Sequence, residues 1–182
     1  MASKKPIGTV TRGTTNPNRL RRVDRFIASL GVVKAHGCTV VDLGYGASPI
    51  TAVELHERLS KLNPSIRVVG VEIDRERVER GLAVAKPGLD FLLGGFETPL
   101  PSGSAHADVI RAFNVLRQYD ESEVAASWAQ MQARLSENGL LVEGTCDEIG
   151  RLSSWVTLDR ARPLSFTVSL HLQSLETPSQ VA

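Results

Sequence analysis

Apolar positions along the chain fall into short clusters with two different periods. From Asn18 onward, Leu20, Val23, Phe26, Ile27 and Leu30 recur at helical spacing with arginines between them, which predicts an amphipathic helix ending near Gly31. Residues 38–43 (CTVVDL) form a short β-branched run of the kind that a parallel strand buried on both faces shows. After a glycine turn, Ser48 and Pro49 read as a cap and first helical residue; Ala52, Leu55, Leu59 and Leu62 mark one helical face until Asn63-Pro64. The unit repeats: a strand over 66–72 (IRVVGVE), a helix over 74–86 with Val78, Leu82 and Ala85 on one side, and a strand over 89–93 (LDFLL). A turn-rich stretch, 94–104, leads to a fourth strand, 107–113. A helix carrying Val124, Trp128, Met131 and Leu135 follows and is stopped by Asn138-Gly139. Strands are then predicted over 139–145 and 166–172.

Strands alternating with helices of about a dozen residues require right-handed crossovers, so the fold class is α/β. The expected architecture is a doubly wound, Rossmann-like, mostly parallel sheet flanked by helices, with ligands at the carboxyl ends of the strands. Residues 1–17, rich in Pro, Gly, Thr and Asn without a period, read as an extended arm, and 18–182 as one domain. At 182 residues, 42% hydrophobic and 23% charged, the chain can bury a sizeable core without staples. Its apolar runs are far below the roughly 20 residues that cross a bilayer, and no secretory pattern opens the chain, so a cytoplasmic protein without a membrane partner is expected. Cys38 and Cys146 lie 108 positions apart with no second cysteine near either, and both read as buried thiols; no metal site is expected. The net charge of +1 hides an asymmetry, because Lys4, Lys5, Arg12, Arg19, Arg21, Arg22 and Arg25 face only Asp24 within residues 1–25, making that segment +6 and the remainder −5. Such a basic arm either is a solvated helix face or meets an anionic partner, RNA among the candidates.

Candidate chemistry sits in VVDLGYGASP, residues 40–49. A pyrophosphate-binding turn needs a third glycine where Pro49 stands, and Asp42 at the strand end would repel a pyrophosphate. The same acid would attract a cation. S-adenosylmethionine carries an ammonium and a sulfonium at one end and a neutral nucleoside at the other, so Asp42 complements it. Glu72, 28 positions after Gly44 and at the end of the second strand, stands where an acid accepts both ribose hydroxyls. Asp74 reads instead as the N-cap of the next helix.

On these residues the chain resembles the class I S-adenosylmethionine-dependent methyltransferases, over about residues 18–172. VVDLGYGASP resembles the family's first motif, with Ser48 in place of its last glycine, and VVGVEIDRERV (68–78) resembles the second. The resemblance implies cofactor contacts from Asp42, Gly44, Tyr45, Gly46, Glu72, Ile73 against the adenine, Phe96, and Asn114 or its neighbour Phe113 after the fourth strand. In FLLGGFETPLP (91–101), Gly95 stands where the family usually carries an aspartate near the adenine amino group, so Phe96 or backbone groups would serve there. Tyr45 and Phe96 are equally read as packing, and Arg111 either faces the site or pairs with a buried acid. No catalytic residue is assigned; Glu143, Asp147, Glu148 and Arg151 are candidates for a base or orienting group, and the acceptor is a small molecule or RNA. The alternative is a non-catalytic module that binds the cofactor or S-adenosylhomocysteine and acts through the arm. The segment 12–22 is also a candidate lid. Thr177-Pro178-Ser179-Gln180 reads as a helix start two residues from the last residue, so the chain looks cut short. With no segment left for the family's antiparallel seventh strand, the sheet would lack its last strand and expose an edge for self-association.

Overall fold

The computed structural model describes residues 5–174 and residue 177. A seven-stranded sheet has the order β3-β2-β1-β4-β5-β6-β7, with β1 (Thr39–Leu43), β2 (Arg67–Glu72), β3 (Leu89–Leu93), β4 (Ala107–Phe113) and β5 (Leu135–Cys146) parallel. β6 (Leu152–Leu158) runs antiparallel to β5, and β7 (Pro163–Leu170) antiparallel to β6. The helices are α1 (Arg21–Ser29), α2 (Ile50–Ser60), α3 (Arg75–Leu82) and α4 (Glu121–Gln132). The doubly wound architecture thus holds as expected.

Two core layers sandwich the sheet. Val23 and Ile27 of α1 and Leu55 and Leu59 of α2 pack with Val40, Val68 and Val109 on one side. Met131 of α4 packs with Val41, Val71, Ile110 and Leu141 on the other. Successive residues of β1, β2 and β4 serve opposite layers, which explains their unbroken apolar runs. The helix starts follow local chemistry: Asp74 accepts from Arg77 N at 3.0 Å, and Asp120 with Glu123 forms a reciprocal capping box.

Two expectations need correction. The sheet does not lack its last strand: β6, LSSWVTL, was not anticipated, and the run expected as the final strand is β7. An antiparallel strand does lie between β5 and the last strand, but it is reached by successive hairpins. The inward row of β6 is Ser153, Trp155 and Thr157, so two polar residues face the core and the alternation is masked. Trp155 anchors it, with ring centroids 5.2 Å from Phe26 of α1 and 6.3 Å from Phe113. Leu135, assigned to the fourth helix, instead opens β5, where it pairs with Ala107 before a register shift, and Asn138-Gly139 lies within that strand. The exposed edge is β7, with Leu164, Phe166 and Val168 open to solvent. The capping box expected over 177–180 lies, apart from Thr177, outside the described residues. Both cysteines are free and buried, and burial pushes the Cys38 thiol up to about 12.

Candidate functional site

The turn after β1 is built on two left-handed glycines, Gly44 at φ 70° and Gly46 at φ 88°. A side chain on Gly44 would also place its Cβ 2.6 Å from Val115 Cγ2. Glu72, at the end of β2 and 2% exposed, locks this turn to its own: Oε2 accepts from Gly46 N at 2.9 Å, and Oε1 from Ile73 N at 2.9 Å and Asp74 N at 3.3 Å. The Arg77 guanidinium stands 3.6 Å from the same carboxylate.

Asp42 lines the cleft, but its carboxylate is engaged. Arg111, in the middle of β4, donates from Nε at 2.9 Å and Nη2 at 2.7 Å, and Thr51 Oγ1 donates at 2.8 Å. Arg111 also donates to Asp24 of α1, as does Arg58 of α2. Burial raises the Asp24 carboxyl pKa against the opposing pull of Arg111 and Arg58. Arg111 therefore pairs with buried acids, one of the two readings open to it, and the cation-attracting role expected of Asp42 is met inside the fold. Tyr45 turns its ring into the core, edge-on to Phe91 at 5.4 Å, and its hydroxyl donates to Arg77 O at 2.9 Å. Asn114 lines the cleft at φ 60°, an asparagine-tolerated left-handed position. Its Oδ1 accepts from Cys146 N and Thr145 Oγ1, both at 3.0 Å, tying the end of β4 to that of β5.

Two cavities meet at Gly44. One is bounded by Asp42, Gly46, Thr51 and Asn114; the other by Glu72, Ile73, Gly95, Phe96 and Tyr119. The segment from Ile7 to Thr15 crosses both. Phe96 N donates to Ile7 O at 2.9 Å and Ile7 N to Glu97 Oε2 at 2.8 Å; Thr9 N donates to Tyr119 Oη at 2.6 Å. Arg77 Nη2 donates to Thr11 O, Arg12 N to Gln118 Oε1, and Ala47 N to Gly13 O. Arg19 is buried and donates to the carbonyls of Thr14, Cys146 and Asp147, while Arg22 donates to Gly150 O. Sequence reasoning missed Glu97, Tyr119 and Arg77. For Glu97 a signal existed: an acid two positions beyond the glycine that replaces the expected aspartate.

A third hollow lies between α4 and the face of β5, β6 and β7, bounded by Leu116, Arg117, Val124, Glu143, Trp155 and Phe166. Arg117 also lines the first cavity. Burial raises the Glu143 carboxyl to about 7, against the 3.3 Å hydrogen bond donated by Trp128 Nε1. Because the folded state holds this proton more tightly, the associated stability is fully present below the unfolded carboxylate range and is lost as pH rises through about 7. The loss is expected to be on the order of 3 kcal/mol between pH 4.5 and 8. In urea titrations across that range, Glu143→Gln should remove this component of the slope; an unchanged slope would mean an unshifted carboxyl.

Among the described residues no group of three or more His, Cys, Asp or Glu is placed to hold a metal ion, and no helix is long and apolar enough to cross a membrane. No protein-family profile and no curated protein matches the chain. Solved structures do. A Haloferax volcanii protein solved in complex with the Trm112 methyltransferase activator aligns at 20% identity and TM-score 0.53, over 70% of this chain and 52% of its own. The magnesium protoporphyrin IX methyltransferase of Synechocystis PCC 6803, with S-adenosylhomocysteine bound, aligns at 15% and 0.52, over 70% and 54%. The cyclase SpnF aligns at 19% and 0.51, over 76% and 52%. The chain spans about half the length of these proteins, and at such identities the likeness establishes the fold. A cyclase among them illustrates that the fold alone does not set the reaction.

Proposed function

We propose that the chain, which has the fold of the class I S-adenosylmethionine-dependent methyltransferases, binds S-adenosylmethionine across the two cavities that meet at Gly44 and catalyses methyl transfer. The observation that carries this reading is the placement of Glu72. One buried carboxylate fixes the glycine turn and still borders the second cavity, where its one remaining acceptor site, on Oε2, can take a ribose hydroxyl. Ile73 and Phe96 supply the apolar walls of an adenine slot. Beside them, Phe96 N–H and the Glu97 carboxylate form an adjacent donor and acceptor. At the other end, Gly44, Gly46 and Asn114 border the space for the methionine portion.

When bound, the cofactor supplies a methyl group on a positively charged sulfur, already activated for in-line displacement. The protein's own work is to align a nucleophile and take its proton. The hollow around Glu143 is suited to an acceptor with an apolar body. Trp128 holds Glu143 Oε2, leaving Oε1 for the acceptor's proton, and a carboxyl raised to about 7 is matched to accepting one near neutrality. Arg117 borders both this hollow and the first cavity. An RNA-binding module acting through the basic arm is less well supported, because Arg19 and Arg22 direct their guanidinium groups to backbone carbonyls.

Calorimetric titration with S-adenosylmethionine and S-adenosylhomocysteine tests the reading. Micromolar binding of both is expected. A folded chain that gives no binding heat with either at millimolar concentration would refute it.

A further inference from the structure

The backbone of Ile7 holds both polar groups of the proposed adenine slot at once. It donates its N–H to Glu97 Oε2 at 2.8 Å and accepts at its carbonyl from Phe96 N–H at 2.9 Å. An adenine edge offers the same pair: a 6-amino donor beside the N1 acceptor. Gly8 fills the flat space next to it, since a Cβ there would lie 3.0 Å from Tyr119 Oη and 3.6 Å from both Ile73 and Phe96 side chains. The slot is shaped to receive this segment. Glu97 is held in place by Gly95 N–H at 2.9 Å, and the turn is closed by Thr98, whose N–H reaches Gly95 O at 2.9 Å with φ at 44°. Gly95 is the decisive position: a Cβ on it would lie 1.9 Å from Ile7 O. Any side chain there, the aspartate of the resembled family included, is incompatible with the seated segment. The absence of that aspartate and the presence of Glu97 two residues later are thus one arrangement. It leaves an acidic acceptor for a 6-amino group and makes room for the peptide.

We propose that residues 7–9 are an internal ligand of the adenine subsite: the Ile7 peptide takes the place of the adenine edge on Phe96 N–H and Glu97, and a purine nucleoside with a 6-amino group binds by displacing it. This rests on the cofactor reading above for the identity of the whole ligand, but not for the edge that the slot recognises. The segment is anchored at the slot wall by Tyr119, beyond it by Arg77 and Gln118, and after it by Arg19. Displacement is therefore a peeling from Ile7 toward Gly13, with α1 left in place.

Two substitutions separate the internal ligand from the site. Ile7→Pro removes the donated N–H and touches nothing in the slot itself; Gly8→Val puts a side chain on backbone at φ 132° and 3.0 Å from Tyr119 Oη, which unseats the segment while leaving Gly95, Phe96 N–H and Glu97 unchanged. Calorimetry on the full chain would use adenosine, inosine and S-adenosylhomocysteine, with limited trypsin cleavage at Arg12 as a second readout. Both variants are expected to bind adenosine and S-adenosylhomocysteine at least tenfold more tightly than the unmodified chain, and to be cut faster at Arg12. In the unmodified chain, adenosine should itself accelerate that cut. Inosine, with a carbonyl in place of the amino group, should bind at least tenfold more weakly than adenosine to every form that contains Glu97. Weaker adenosine binding by Ile7→Pro, or protection of Arg12 by adenosine, would overturn the proposal and make the segment a lid that closes over its ligand. Binding of neither adenosine nor S-adenosylhomocysteine by any folded form would overturn it as well. Tighter binding of adenosine by the variants, with no gain from the homocysteine portion, would uphold the internal ligand and refute the methyltransferase reading instead.

Discussion

Replacing Arg111 with leucine is expected to lower the unfolding free energy by about 3–5 kcal/mol, a large part of the roughly 5–15 kcal/mol that native domains usually have. The side chain is fully buried, and its Nε, Nη1 and Nη2 all donate: two bonds to Asp42, one to Asp24, and one to Thr51 O at 3.1 Å. Without it, two carboxylates 1–2% exposed are left with Arg58 on Asp24 and the Thr51 hydroxyl on Asp42. The loss is then the cost of stranded charge more than of absent packing. Urea denaturation near pH 7 would show the drop in midpoint. The triple variant Arg111→Leu, Asp24→Asn, Asp42→Asn should recover much of it, because amides carry no charge to strand. A single variant within 1 kcal/mol of the parent would mean that the cluster contributes little. Since Asp24 lies on α1, the same substitution should loosen the helix that anchors the segment crossing the cleft.

The second large effect is expected at Glu72. Replacement by glutamine keeps the volume but turns one acceptor oxygen into an NH₂ group, so that it faces either Gly46 N–H or the N–H groups of Ile73 and Asp74, donor against donor. One buried contact becomes repulsive whichever way the amide turns, and about 1–3 kcal/mol of stability should be lost. The effect on ligand binding should be larger, because the variant both loosens the glycine turn and loses the charged acceptor for a ribose hydroxyl. Affinity for S-adenosylhomocysteine is expected to fall at least 100-fold in calorimetry, which corresponds to about 2.7 kcal/mol. A folded Glu72→Gln chain that binds as tightly as the parent would remove Glu72 from the site.

The parallel half of the fold was legible because its signals are local: β-branched runs that serve two core layers, the Asp74 cap, and the proline and glycine stops between elements. Where burial does not follow hydrophobicity, that legibility fails. β6 presents Ser153 and Thr157 to the core beside Trp155, so its inward face does not read as apolar, and Leu135 fits a helical period although its backbone pairs with Ala107. The site divides in the same way. Gly44, Gly46 and Glu72 are brought together by the topology their spacing implied. The state of Asp42, by contrast, is set by Arg111, 69 positions away, and nothing local reports the partner of a buried charge. The contact between Ile7 and Glu97 spans 90 positions and involves backbone groups that carry no sequence signature.

The hairpin path of the last two strands also bears on how the molecule comes apart. β6 and β7 follow β5 directly, so their pairing closes short loops and costs little chain entropy to form or to reform. β7 is mostly exposed on both faces and gives up little apolar burial when it leaves, whereas β1 is buried along its whole length between β2 and β4. Local opening is therefore graded across the sheet, with amides of the outer hairpin exchanging through small fluctuations and those of β1 only through global unfolding. Gly44 and Gly46 directly follow β1, so the turn at the centre of the site is hung on the slowest-exchanging part of the molecule.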